Sequence, residues 1–362
     1  MIGSLLLAIP VFLSACGAVA QDEPRTTGAE DVARAEAEEF LAGYVDPSGR
    51  VIRHDQGGDT VSEGQSYALL LAQVAGDAET FERVWEWTRA HLQQPSRLLA
   101  SHADAGQVID GNPASDADLV TAWALVRGEG PDGAIRRREG GRIARATLER
   151  ETVGSPGPML LAAGPWATGE PATLNPSYWV LGAFEALADD TGNRRWRELA
   201  AASISSARAL TDEGRLLPPD WARVDGESVS ATSSPNGDPP HIQYGPDAQR
   251  LVVWFAASCD PAARRLAAAL YPLLSRTENA GALALSTEGS VVNGEPSPLA
   301  FVATAAAAGS AGHPDERERL LAEAAALERE RPSYYGAAWV ALGHALLTTD
   351  RLGGCALEGA ER

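Results

Sequence analysis

From residue 29 to residue 347 the chain is a succession of alanine- and leucine-rich stretches, each cut off by Gly, Pro, Asp or Asn. Apolar residues recur within them at helical spacing. The pattern predicts helices over 29–41, 64–75, 79–92, 116–126, 140–152, 156–163 and 176–188, and then over 194–210, 246–257, 261–274, 298–308, 314–328 and 334–347. Several begin with proline or follow Ser, Asp or Asn, as helix starts do. Only 50–53 and 289–292 read as short strands. About a dozen helices without a βαβ rhythm make an all-α fold. No consensus repeat marks a solenoid. A long series of helical hairpins suggests a closed α/α toroid, although periodicity does not prove closure. No shift in composition marks a domain boundary, so 29–362 reads as a single domain. The one long irregular stretch, 218–245, reads as a surface loop leading into a site.

The 362 residues carry a formal charge of −19, and all thirty basic residues are arginine. Such acidity argues against a nucleic-acid partner, since phosphate backbones need a basic face. Without lysine the chain has no Walker-type P-loop, no Schiff base and no attachment point for pyridoxal phosphate, and no cofactor is expected. Residues 4–15 form an apolar run too short to span a bilayer and are followed by small residues, the pattern of a targeting segment. Ala18-Val19-Ala20 matches an ordinary signal-peptidase site, and Leu13-Ser14-Ala15-Cys16 matches a bacterial lipobox that would lipidate Cys16. The lipobox is favoured, with 1–20 as the signal segment and 21–28 as a tether. The expectation is an exported protein, attached to the membrane at the cell surface through Cys16 or otherwise secreted, and monomeric. In an oxidising compartment Cys259 and Cys355 either pair or remain two free thiols. They are too few for a zinc cluster, and no metal site is expected.

Three stretches place carboxylates beside a turn at the entrance to an apolar helix. They are "VSEGQSYALLLA" with Glu63, "NPASDADLVTAWALV" with Asp116 and Asp118, and "HIQYGPDAQRLVVW" with Asp247 and, three residues on, Arg250. Each has a local explanation. Thr60-x-x-Glu63 and Ser62-x-x-Gln65 both read as capping boxes. Asp116 reads as an N-cap, Asp118 as a first-turn acid, and Asp247 with Arg250 as a helix-surface pair. If the helices form a toroid with these starts at one rim, the carboxylates converge, and a set of an acid and a base is what glycoside hydrolysis requires. The chain also has nine tryptophans and seven tyrosines, and flat rings stack on sugar faces. Trp123 and Trp339, inside apolar helices, read as core, whereas Trp166 and Tyr178, in or beside loops, are candidates for substrate contact.

In this order the three stretches resemble glycoside hydrolase family 8, whose members include bacterial endoglucanases, chitosanases and xylanases. "SEGQSYALLLA" resembles the acid segment, "ASDADLVTAWALV" the signature and "PDAQR" the base segment. "LNPSYW", "LLPPDW" and "YYGAAWVALG" also resemble family stretches, and the wording of the first segment is closest to endoglucanases that accompany bacterial cellulose synthesis. The resemblance implies an (α/α)6 barrel with a substrate cleft at one end and hydrolysis with inversion. It implies Glu63 as general acid, Asp247 as base, Asp116 as the residue holding the distorted sugar, Tyr178 as a positioner of water, and Arg250 as the group orienting the base. Asp118, Trp166, Tyr334 and Tyr335 are assigned to the substrate site, with Asp118 read as an inner hydrogen-bonding residue. The partner is a β-linked polysaccharide or oligosaccharide. Where many relatives carry a stacking tryptophan, this chain has Ser101 and His102, and Thr121 and Gly128 depart from the signature. The leading reading is an endo-β-1,4-glucanase. A chitosanase or xylanase with the same machinery and a non-catalytic glycan-binding lipoprotein are the alternatives. A general acid at a helix N-terminus also makes a demand on its surroundings: burial must outweigh the dipole, which lowers a carboxyl pKa.

Overall fold

Twelve of the thirteen segments expected to be helical are helices in the computed structural model, which describes residues 28–128, 132–154, 157–355 and 357. In chain order they are α1 (Gly28–Tyr44), α2 (Ser62–Ala75), α3 (Ala78–His91), α4 (Ser115–Val126), α5 (Gly133–Arg150) and α6 (Leu181–Thr191). There follow α7 (Arg195–Leu210), α8 (Pro246–Ala257), α9 (Pro261–Leu274), α10 (Pro298–Ser310), α11 (Pro314–Glu330) and α12 (Tyr334–Thr348). Local chemistry sets many of their ends. Proline opens α8, α9, α10 and α11, where its missing N–H costs nothing. The side chains of Asp77, Asp260 and Ser333 cap α3, α9 and α12. Gly76 and Gly192 end α2 and α6 in the left-handed conformation. The expected signal segment, the site of lipidation at Cys16 and most of the tether lie outside the described residues.

The helices form an (α/α)6 barrel. Each even-numbered helix packs on the next, from α2 through α4, α6, α8 and α10 to α12, and α12 packs back on α2 to close the ring. The odd-numbered helices form the outer layer, each against one or both of its neighbours in the ring. Composition decides which helix goes inside. All of α4 is buried, and α2, α8 and α12 are nearly so, whereas α5 and α11 show a charged outer face. The centre of the barrel is filled by aromatic rings from four inner helices. Trp254 meets Trp123 at 6.3 Å and Trp339 at 5.3 Å, and Tyr67 meets Trp339 at 5.5 Å.

Alternating direction puts all inner-helix N-termini at one end, and five of the six connections there are long: 45–61, 92–114, 151–180, 211–245 and 275–297, against 331–333 before α12. Those at the other end are short, such as 76–77 between α2 and α3. Every named strand lies in the long connections. Thr60–Val61 pairs with His102–Asp104, and Ala172–Leu174 pairs with Trp221–Asp225. Two expectations are corrected here. The helix expected over 156–163 is absent over its described part; Leu160–Leu161 is a strand paired with Thr152–Val153. A short apolar run beside prolines fits either state, and here neighbouring chain claims its backbone. The stretch 218–245 is not wholly irregular, because Trp221–Asp225 and Ser228–Thr232 form a hairpin. Its two-residue loop is Gly226-Glu227, between the paired Asp225 and Ser228, with Gly226 at φ 58°, so glycine at the first loop position was the hairpin signal. Cys259 and Cys355 form a disulfide that ties the chain beyond α12 to the α8–α9 link.

Candidate active site

The stretch "SEGQSY" is used residue by residue, and not for capping. Val61 precedes α2 without a side-chain cap, and the Thr60 hydroxyl donates to the Val51 carbonyl instead. The Glu63 Oε2 accepts a hydrogen bond from Arg250 at 2.6 Å. Gly64 has no room for a side chain: a Cβ there would stand 2.7 Å from the Tyr334 hydroxyl. Gln65 is fully buried and holds the preceding connection, accepting from the Val51 N–H at 2.6 Å and donating to the Thr88 hydroxyl at 2.8 Å. Ser66 donates to the Glu63 carbonyl, and Tyr67 reaches Arg250.

Arg250, only 2% exposed, joins the three carboxylate stretches. One terminal nitrogen donates to Glu63, to Asp116 Oδ2 at 3.2 Å and to the Tyr67 hydroxyl at 3.2 Å. The other donates to Asp247 Oδ1 at 2.7 Å and to the Ser177 hydroxyl at 2.8 Å. Glu63 and Asp247 keep 23% and 32% of their side-chain surface open, so both face the cleft, while Asp116 keeps 7%. Three acids around one guanidinium leave a surplus of negative charge, and burial makes that costly. Burial pushes the Glu63 carboxyl above its ordinary value; Arg250 opposes this and the Asp247 charge adds to it. Asp116 is pushed up to about 7, again chiefly by burial against the pull of Arg250. Burial thus acts on Glu63 in the direction a general acid needs. The arrangement can hold a proton on one side of a bound molecule and a carboxylate on the other.

Further expected residues lie around this centre. The Tyr178 ring faces the Arg250 guanidinium at 5.4 Å from its centroid. It is placed by Asn175, whose side chain accepts from the N–H and the hydroxyl of Ser177. Tyr335, half-buried, packs edge-on to Trp339. Trp166 is 47% exposed, and its indole N–H bonds the Pro113 carbonyl. It borders a depression of about 340 Å³ shared with Ser101, Asp110, Asn112 and Asn236. Asp118 and Tyr334, grouped above with the substrate site, do not open to the cleft. Asp118 has no exposed surface, accepts from the Leu99 N–H at 2.7 Å and lies close to the buried Glu151 carboxyl. Tyr334, 1% exposed, packs on Phe40 and Tyr44. His102 stands on the strand paired with Val61, and its ring contacts Asp59 Oδ2 at 2.5 Å, which also pairs with Arg53. Arg53, Asp59 and His102 thus form a polar wall here. Tyr67, Ser177 and Asp220 were missed from the sequence. Each sits inside a stretch quoted above, but nothing local shows that a hydroxyl or a loop carboxylate reaches another segment.

The family model for glycosyl hydrolases family 8 matches residues 13–342. A "Probable endoglucanase" from Novacetimonas hansenii is 33% identical over 240 residues, which cover 60% of this chain and 64% of that protein. An "Endoglucanase" from Xanthomonas axonopodis pv. citri is 32% identical over 242 residues, 59% of this chain and 58% of that protein. The matched segments thus span about three-fifths of these relatives' own lengths. Among solved structures, the endo-beta-1,4-glucanase CMCax from Acetobacter xylinum superposes with a TM-score of 0.68 at 27% identity, covering 87% of this chain and 97% of that one. The apo beta-1,3-1,4-glucanase from Paenibacillus sp. X4 shares the fold, with a TM-score of 0.75 at 17% identity over 89% of this chain and 92% of that one. Carboxylates gathered by one arginine at the open end of an (α/α)6 barrel agree with that match, and the chain belongs to glycosyl hydrolases family 8.

Proposed function

We propose that the protein is an exported endo-β-1,4-glucanase that cleaves with inversion. The observation that carries the reading is the bonding of Glu63, Asp116 and Asp247 by the one buried guanidinium of Arg250 at the cleft end. Glu63, whose carboxyl is pushed upward, is the general acid that protonates the leaving oxygen. Asp247 is the base that activates water. The two bond different nitrogens of the Arg250 guanidinium, and an inverting site needs its acid and base far enough apart to admit a water. Asp116 holds the sugar before the scissile bond, and Tyr178 positions the water. The placement of α1 supports surface attachment through Cys16. Glu30, in the first turn of α1, pairs with Arg351 just beyond α12, at the end opposite the cleft. An N-terminal anchor would then present the cleft outward.

The test is reducing-end release by the purified protein from carboxymethylcellulose, chitosan, xylan and mixed-linkage glucan. Glu63→Gln and Asp247→Asn should each lower kcat on the cleaved polymer by about 10²- to 10⁴-fold. Release from chitosan or xylan alone would replace the glucanase by the corresponding family activity. Retention on a glycan without release would make it a binding protein. Palmitate labelling of the wild type, absent in Cys16→Ser, tests the anchor; equal labelling would exclude Cys16.

A further inference from the structure

Helix α8, which carries Asp247 and Arg250, begins at a residue that cannot cap it. Gly245 precedes the helix and has no side chain. The first amides of a helix lack partners within it and need an acceptor from elsewhere. Asp220, in the connection between α7 and α8, supplies one. Its Oδ1 accepts from the N–H of Gly245 at 2.8 Å and of Ala248 at 2.8 Å. Its Oδ2 accepts from the Gln243 side-chain amide at 2.9 Å, and its backbone N–H donates to the Gln243 carbonyl at 2.9 Å. Asp220 is only 6% exposed, and all three side-chain bonds need an acceptor on their oxygen, which a carboxylate offers on both. Asp247 lies between the two clamped amides.

We propose that Asp220 is the positioning residue of the base: it caps α8 from a separate segment and so sets where the Asp247 carboxylate points. The inference rests on the reading of Asp247 as base. Asp220 does not itself act on water, because its oxygens are taken up by backbone and amide donors, while Asp247 keeps an open face to the cleft. Retaining a second acid here has a cost. Burial and the Asp247 charge push the Asp220 carboxyl up to about 6, so the cap weakens in acid independently of the chemistry. Gly245 provides a second handle. A Cβ there would stand 2.5 Å from Asp220 Oδ2 and 2.5 Å from the Gln243 amide nitrogen, so an alanine pushes the carboxylate away without changing any charge.

The experiment measures kcat and KM separately on whichever polymer the wild type cleaves, with circular dichroism to verify folding. Asp220→Ala and Gly245→Ala should each lower kcat by roughly tenfold to a hundredfold, the scale of misplacing a catalytic group, with KM within about twofold. Asp220→Asn should recover most of the loss, since its carbonyl oxygen accepts the same two backbone bonds. Folded Asp220→Ala and Gly245→Ala with kcat near that of the wild type would overturn the proposal. So would an Asp220→Asn variant as impaired as Asp220→Ala, which would assign the effect to charge. If Asp220→Ala does not fold, Gly245→Ala and Asp220→Asn decide. Asp247→Asn runs beside them: full activity in that variant sinks the base assignment itself, whatever the Asp220 series shows.

Discussion

Arg250 is the residue on which the site depends, because its charge is fixed while those of its neighbours are not. It is nearly unexposed and bonds three carboxylates, a tyrosine hydroxyl and a serine hydroxyl. Removing one member of a buried ion pair leaves the remainder uncompensated, at a cost of about 3–5 kcal/mol. Arg250→Met should therefore destabilise the fold by about that much near neutral pH and abolish hydrolysis. The deficit should shrink in acid, where the carboxyls protonate and need no counter-charge. Denaturant unfolding at two pH values checks this, and an equal deficit at both would refute it. From sequence alone, Arg250 looked like the i+3 partner of Asp247, and that contact exists at 2.7 Å. Its bonds to Glu63 and Asp116, 187 and 134 residues away, had no local signal.

Among elements, α4 illustrates how one helix serves two polar purposes. Asp116 faces the arginine, and two residues on Asp118 turns inward to bond the Leu99 N–H beside the buried carboxyl of Glu151, the residue just past α5. This buried carboxyl pair ties α4, the end of α5 and the 92–114 connection together. Burial chiefly pushes the Glu151 carboxyl from 4.5 up to about 8, and burial with the Glu151 charge raises Asp118. The folded state thus holds a proton more tightly than the unfolded chain. The stabilisation is fully present below the unfolded value and is lost as pH rises through about 8. Denaturation midpoints should fall from about pH 5 to about pH 8, and Glu151→Gln should flatten part of that slope. An unchanged slope in the variant would remove Glu151 as its source. Sequence showed the helix and its two acids, but about half a turn of rotation decides which acid meets the site, and packing sets that rotation.

At the scale of the molecule, the barrel closes through α12 on α2, and the chain beyond α12 is tied back by Cys259–Cys355 across 96 residues. A crosslink over so long a segment restricts the unfolded chain and stabilises by about 4–5 kcal/mol in the chain-entropy model. Cys259→Ser should lower the unfolding free energy toward that extent, and reductant should have little further effect on the variant. A wild type indifferent to reductant would refute this. The division between the two ends of the barrel belongs to this scale too. Short links pack one end, whereas the long connections at the other carry all the named strands and wall the cleft.

What the sequence determined by itself was twelve of the thirteen helical segments expected of it, because these follow from local apolar periodicity. It also marked the site more plainly than any motif. In α2, α4, α8, α10 and α12 the only Asp, Glu or Arg residues are Glu63, Asp116, Asp118, Asp247 and Arg250, all near the helix N-termini. Charge in an otherwise buried helix is costly and so points to use. Tertiary structure alone decided that these acids share one arginine, that Asp118 turns away, that Asp220 caps α8 and that burial raises the Glu63 carboxyl against the pull of Arg250. Each of these depends on desolvation and contacts from chain segments tens to hundreds of residues distant, which appear only when the ring has closed.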